Sequence, residues 1–456
     1  MEKRVIDEIV KIVGQENVRA SLEERQCYSY DARTDGVVPD LIVFPSSADD
    51  VSRILVLANI HRIPVIPRGS GTGLTGGSIP VSGGIVLSFT RMSKILEIDP
   101  KNLIAVVEPG VVTFILQEEV AKQGLFYPPD PASYKYSSIG GNIAECAGGP
   151  NSLKYGVTRD YVLGLEVVLP TGEIINPGVR TMKGVVGYDL ARLFVGSEGT
   201  LGVVTKITLK LIPLPEARAT ILALFKEVDE AAEAVSATIA ARVVPSTIEF
   251  MDRASIRCSE QANPMGLPED VGGLLLIEVD GDEQSIVPQA EKVKKIMLDH
   301  RAVDCRLTRD PKEADKLWQA RRTLSQALYN INPLKIAEDV VVPRSNIPAL
   351  IHALEEMGKR FGIPILSFGH AGDGNFHVNI MIKDTKEERE KAEEAVKEIF
   401  TEALKLGGTL SGEHGIGTSK AAYLGMELSP DLITAMKKIK QLFDPNNILN
   451  PGKIFV

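Results

Sequence analysis

The chain has 456 residues, 44% of them apolar and 24% charged, with a net charge of −9. That length exceeds one ordinary hydrophobic core and predicts two domains or three, with the balance of a soluble globular protein. The acidic surplus and the lack of any basic stripe speak against a nucleic-acid partner.

Taken in chain order, residues 1–62 read as a helix, a polar loop, a short strand at Leu41–Phe44 and a second helix over Asp49–Arg62. Strand-like runs follow at Pro64–Pro67, Gly84–Ser88 and Ile104–Glu108, then a helix over Thr113–Lys122 and strands at Leu163–Leu169 and Val203–Ile212. This strand-rich order with dense glycine predicts an α+β domain over 1–215, closed by the proline punctuation Ile212-Pro-Leu-Pro-Glu216. Beyond it, strands at Thr220–Phe225, Ser246–Phe250, Gly273–Val279, Ala337–Val342, Pro364–Phe368 and Phe376–Ile382 alternate with amphipathic helices. Those helices cover Glu227–Arg242, Gln284–His300, Pro311–Leu328, Asn346–Phe361 and Lys386–Leu406. The expectation for 216–410 is a cap domain, an antiparallel sheet covered by helices on one face. The segment 411–456 is again punctuated by glycine and proline and is expected to return to the first domain.

The longest apolar runs, Gly84–Ser88 and Leu274–Val279, are too short to span a bilayer. The opening MEKRVIDEIVKIVG lacks the apolar core of a secretory signal. Cys27, Cys146, Cys258 and Cys305 are scattered without a CxxC, which predicts reduced thiols and a cytoplasmic location.

The first glycine-rich stretch is Pro67-Arg-Gly-Ser-Gly-Thr-Gly-Leu-Thr-Gly-Gly77. Its glycines let backbone N–H groups converge on an anion, and Ser70, Thr72 and Thr75 add hydroxyl donors, as a pyrophosphate requires. No Gly-Lys-Ser/Thr closes it as a P-loop, and no helix pattern opens there as in a Rossmann turn. A tight surface turn is the bland alternative. Two further stretches, Ser137–Gly149 and Gly196–Gly202, offer more backbone approaches, and three in one domain suit a long cofactor threaded between loops.

Three of the six histidines sit in two glycine-flanked segments, Gly369-His-Ala-Gly-Asp-Gly-Asn-Phe-His-Val-Asn379 and Ser411-Gly-Glu-His-Gly415. His377 and Asn379 are two apart at a strand start and face the same way. His370 lies across a bend that can turn its imidazole toward His377. With Glu413, two imidazoles and a carboxylate make a ligand set for one divalent metal, with Zn, Fe and Mn all admitted. His414 is the candidate base, its ordinary pKa being close to working pH; a third metal ligand is the alternative. For a carboxylate substrate, a predicted helix supplies Arg321 and Arg322, which face different directions, so that Arg322 is expected outside the site; either is otherwise a solvated charge.

The order PRGSGTGLTGG, PPDPAS, SSIGGNIAECAGGP, YGVTRDYV and VGSEGTLGVVT resembles the flavin domain of the FAD-linked oxidase family, the vanillyl-alcohol oxidase or p-cresol methylhydroxylase (PCMH) type. GHAGDGNFHVN, SGEHGIG and FDPNNILNPGK narrow the resemblance to its D-2-hydroxyacid dehydrogenase branch, which contains D-lactate dehydrogenase and the catalytic subunit of glycolate oxidase. It runs over nearly the whole chain and implies a PCMH-type FAD-binding domain plus a cap. It places Gly69, Ser70, Gly71, Thr72 and Gly73 at the pyrophosphate, and Pro131, Ser133, Gly141, Asn142, Glu198, Gly199 and Val203 along the rest of FAD. Pro67, Arg68, Thr75, Gly76, Gly140, Ala144, Gly148 and Asn450 complete the expected cofactor set. The first loop has no histidine, so non-covalent binding is expected.

The resemblance also gives His414 the base role and Arg321 the substrate-anchor role, with Ser325 one turn on and Asn379 as polar substrate partners. Lys335 is weaker, because its spacing to Glu338-Asp339 departs from the family pattern. The reaction implied is oxidation of a small D-2-hydroxy acid, D-lactate or glycolate, to the 2-oxo acid. Hydride passes to flavin N5, and the electrons leave to an acceptor such as an electron-transfer flavoprotein or an iron–sulfur subunit. A homo-oligomer is compatible with the sequence. The competing readings are another FAD-linked alcohol oxidase, a metal hydrolase without flavin, and a non-catalytic or electron-transfer flavin subunit of a larger oxidase.

Overall fold

Val5 and Ile9, one turn apart, are the buried residues of helix Lys3–Val13, and they join Ile54, Leu55 and Ala58 of helix Ala48–His61 in one apolar cluster. Ser47 starts the second helix by accepting from the Asp50 amide, which satisfies an otherwise orphaned donor. The same cluster includes a four-stranded sheet in which Leu41–Val43 and Val65–Arg68 run parallel to Ile85–Ser88 between them, with Val18–Arg19 antiparallel at the edge. Every residue of Leu41–Val43 and Ile85–Ser88 is buried, as parallel strands covered on both faces require.

A second, antiparallel sheet runs Ile95–Asp99, Ile104–Val107, Val203–Lys210, Val162–Val168, Ile174–Ile175. Val203–Lys210 alternates buried and half-buried residues, the period of a strand with one covered face. The structure, a computed structural model, describes residues 1–32, 36–268 and 270–455. It divides into two compact units. The first comprises Met1–Gly148, Val157–Leu214 and Glu413–Val456. The tail joins its first sheet where Val65 bridges Leu449 and the Asn450 amide donates to the Val65 carbonyl at 2.8 Å.

The second unit comprises Gly149–Gly156 and Pro215–Gly412. Its seven antiparallel strands run Asp304–Thr308, Ala217–Phe225, Gly273–Gly281, Thr247–Asp252, Ile365–His370, Asn375–Ile382, Leu334–Val341. On one face Leu222, Leu224, Met251 and Leu276 pack with Ile256 and Leu324 of helices Arg253–Ala262 and Pro311–Ala327. On the other, Phe250 meets Phe376 edge to face, and Gly273 lies against Ala231 of helix Val228–Ala240. Helices therefore cover both faces, not one as the sequence pattern suggests. The near-continuous burial of Ala217–Phe225 and Gly273–Gly281 is the physical sign of it. Among the described residues no helix is long and apolar enough to cross a membrane.

Candidate active site

In the first unit, strand Val65–Arg68 delivers the chain into the glycine loop. A Cβ on Gly69 would lie 2.1 Å from Ser138 Oγ, so only glycine lets the loop rest against the start of helix Ile139–Glu145. Gly71 has φ +70°, where a side chain would be strained and would also strike the Arg68 guanidinium. Arg68 is buried, donates to the Ser78 carbonyl and lies 5.4 Å from the Tyr28 ring centroid. Burial pulls its pKa down, against the pull of Asp31. This arginine braces the loop from within.

The other expected cofactor residues gather around this loop or its neighbours. Asn142 donates to Thr113 Oγ1 at 2.8 Å, and the carbonyls of Pro131 and Ser133 accept from the Tyr134 and Tyr136 amides in one tight turn. The Ala144 carbonyl accepts from the Glu198 amide at 2.8 Å. Glu198 holds a left-handed φ of 51°, followed by Gly199 at 66°, and its carboxylate accepts from the amides of Ile416 and Gly417, both at 2.8 Å. Asn450 donates to the carbonyls of Gly77 and Glu198, both at 2.7 Å. Thr75 donates to the His414 carbonyl at 3.0 Å. Val203 is buried at the start of its strand. Residues 67–77, 138–145, 198–199, 414–418 and 450 thus form one connected network within the unit.

The second unit centres on a residue that the sequence pattern does not single out. Glu249, on strand Thr247–Asp252, is 1% exposed. Its Oε2 accepts from Arg321 Nε at 2.6 Å, and its Oε1 makes a short contact with His370 Nδ1. Strand register puts Glu249 directly opposite His370. The Arg321 guanidinium carbon lies 4.5 Å from the Phe368 ring centroid. The rings of His370 and His377 stand at 90° with centroids 5.2 Å apart. Burial alone would raise the Glu249 pKa, but the neighbouring His370 and Arg321 outweigh it and hold the carboxyl below its usual range.

Asp339, fully buried on strand Leu334–Val341, lies 3.8 Å from His377 Nδ1. It accepts from Asn375 Nδ2 at 2.6 Å, from the Gly412 amide at 2.8 Å and from the Ser411 hydroxyl at 3.2 Å. The next two residues in the chain are Glu413 and His414. Asn379 is buried and donates to the His377 carbonyl at 3.0 Å. The Ser325 hydroxyl accepts from Lys335 Nζ at 2.8 Å, and burial lowers the Lys335 pKa. Arg322 turns outward to Asp315. Sequence reasoning thus missed Glu249 and Asp339. Glu249 leaves only one trace in the sequence, an acid between the apolar residues Ile248 and Phe250.

Residues 39–178 match the FAD binding domain model, and residues 214–454 match the model for the C-terminal domain of FAD linked oxidases. The chain belongs to the FAD-linked oxidase family. It is therefore an FAD-linked oxidoreductase with a PCMH-type flavin domain and a cap. This family member is 48% identical to glycolate oxidase subunit GlcD of Bacillus subtilis, over 99% of this chain and 97% of that protein. It is 37% identical to D-lactate dehydrogenase of Anaerostipes hadrus, covering 91% and 89%. Among solved structures, p-cresol methylhydroxylase superposes with a TM-score of 0.84 at 18% identity, covering 99% of this chain and 96% of that one. Alkyldihydroxyacetonephosphate synthase superposes at 0.78 with 22% identity, covering 99% and 85%. These two share the fold.

Proposed function

We propose that the protein is an FAD-dependent D-2-hydroxyacid dehydrogenase that oxidises a small R–CHOH–COO⁻ substrate, D-lactate or glycolate, to the 2-oxo acid. The observation that carries this reading is the Arg321–Glu249–His370 array, in which one buried carboxylate joins a carboxylate-gripping guanidinium to an imidazole. The named activities of the relatives, glycolate oxidase and D-lactate dehydrogenase, point to the same substrate class.

The residues of the first unit fit FAD. The loop leaves no room for a Cβ at Gly69 or Gly71. Two buried oxygens nearby, Glu145 Oε2 and Asn450 Oδ1, have no hydrogen-bond donor among the described residues. On this reading Gly69–Gly73 hold the pyrophosphate, and no histidine in residues 67–77 is available for a covalent link. Bound there, FAD supplies the acceptor for the substrate's two electrons.

The histidine donors fit a divalent cation. Engagement of His370 Nδ1 by Glu249 puts the imidazole lone pair on Nε2, the nitrogen that would meet an ion, and His377 and Glu413 would complete a set suited to Zn, Fe or Mn. Such an ion would supply Lewis-acid polarisation of the hydroxyl. The chain's own residues do the rest. Arg321 grips the substrate carboxylate, Ser325 and Asn379 are its polar neighbours, and His414 takes the hydroxyl proton as the Cα–H bond breaks. The electrons then leave to an acceptor protein, an electron-transfer flavoprotein or an iron–sulfur subunit, in the cytoplasm.

His414→Asn tests the assignment. Metal and FAD content should stay near wild type, while flavin reduction in one anaerobic turnover slows by about 10²- to 10⁴-fold. Loss of the metal would make His414 a ligand, and an unchanged reduction rate would remove it from the mechanism.

A further inference from the structure

Glu249 takes no step in the proposed reaction, yet it is bonded to two residues that do. A carboxylate at 1% exposure is costly to bury, and a buried ion pair is weak evidence for stability, since well-packed apolar side chains often serve as well. What distinguishes this one is that its two oxygens are divided between partners 72 and 121 residues away in sequence. We infer that Glu249 is a positioning residue that sets the imidazole tautomer of His370 and the direction of the Arg321 guanidinium at once, so that metal affinity and substrate affinity depend on one carboxylate. The inference rests on the dehydrogenase reading.

The geometry argues both halves. An imidazole whose Nδ1 faces a carboxylate oxygen carries its proton there, and the lone pair then belongs to Nε2, the nitrogen a metal would need. Arg321 gives its Nε to Oε2, which leaves the two terminal amino groups as the fork for a substrate carboxylate. Phe368 beneath the guanidinium fixes its plane, and Phe368 precedes His370 by two residues on the same strand. The Glu249 backbone is in turn fixed by pairing with Leu276 on one side and His370 on the other. A purely structural acid would need none of this division between a base and a fork.

The test uses the FAD-bound protein and Mn²⁺ alone as the metal probe. Glu249→Gln keeps the size but can offer an acceptor oxygen to only one partner; the other meets an amide NH₂. The Mn²⁺ dissociation constant should rise roughly 10- to 100-fold, and KM for D-lactate should rise with it, with bound FAD unchanged. Glu249→Asp, which restores the charge, should recover part of both. With six histidines in the chain, ¹⁵N-histidine labelling reads the tautomer directly: protonated at Nδ1 for His370 in the wild type and shifted to Nε2 in the Gln variant.

A wild-type His370 protonated at Nε2 would overturn the inference. So would a Gln variant with wild-type Mn²⁺ affinity and KM, or one changed only in melting temperature, which is all a structural role would move. If the Gln variant fails to fold, the wild-type tautomer and the Asp variant decide. A wild type that turns over fully without any metal defeats the dehydrogenase mechanism instead, and that failure is visible before any variant is made.

Discussion

Half-buried Glu145 sits beside the buried acid Glu198: a Cβ on Gly77 or on Gly415 would fall within 4 Å of both carboxyls. Burial, the charge of Glu198 and then that of Asp31 push the Glu145 pKa well above the usual carboxylate range. Glu198 is also raised by burial, although the Ile416 and Gly417 amides and Lys453 and Lys420 pull it back. The sign follows from linkage. A carboxyl whose folded pKa lies above its unfolded value contributes stability below the unfolded pKa and loses it as pH rises through the folded one. The FAD-bound wild type should therefore lose melting temperature as pH climbs from the acid side, and Glu145→Gln should flatten that slope. Melting curves from about pH 5 to about pH 9 check this; parallel profiles for the two proteins would show that Glu145 carries no such shift. Arg321→Lys belongs to the same scale. It keeps the charge but loses the planar fork and the Nε bond to Glu249, so KM for D-lactate should rise as well as kcat fall. A change in kcat alone would detach Arg321 from substrate binding.

At the scale of elements, the stretch Ser411–Gly417 is pinned at both ends by buried acids. Ser411 and Gly412 end on Asp339 in the second unit, and Ile416 and Gly417 begin on Glu198 in the first. Asp339→Asn would turn one acceptor oxygen into a donor amide facing N–H and O–H donors, an unsatisfied arrangement that should cost about 1–3 kcal/mol. Urea unfolding of the holoprotein measures it, and a loss below about 0.5 kcal/mol, the usual range of an uninvolved surface change, would mean that Asp339 does not hold the stretch. The strands and long helices were legible because periods of two and 3.6 report which side is covered. The polar helix Arg253–Ala262 and the edge strand Asp304–Thr308 were not: the helix is largely polar, and the strand is only five residues long and nowhere fully buried, although Asp-Cys-Arg-Leu-Thr alternates polar and apolar residues. The histidine-bearing segments announced themselves through clustered glycine. Glu249 and Asp339 could not, because what makes them matter is strand register, which a single sequence does not display.

At the scale of the whole molecule, the glycine loops and Glu198 lie in the first unit and the imidazoles of His370 and His377, Arg321 and Glu249 in the second, while the third proposed ligand, Glu413, belongs to the first. The proposed cofactor and metal therefore rest on different side chains, and removing one should leave the other. Dialysis of the holoprotein against a chelator should abolish D-lactate reduction of a dye acceptor while the flavin absorbance stays with the protein. Adding Mn²⁺ or Zn²⁺ should restore turnover, and at 100 times its dissociation constant the ion should stabilise the fold by about 2.7 kcal/mol, since it binds the native state alone. Acid precipitation should, conversely, release FAD into the supernatant, because residues 67–77 contain no histidine to retain it. Flavin and metal lost together on chelation would mean that the cofactor loops depend on the metal ligands, and that the two do not rest on separate side chains. Full turnover after complete chelation would defeat the proposed metal-assisted mechanism and leave His370 and His377 as structural residues.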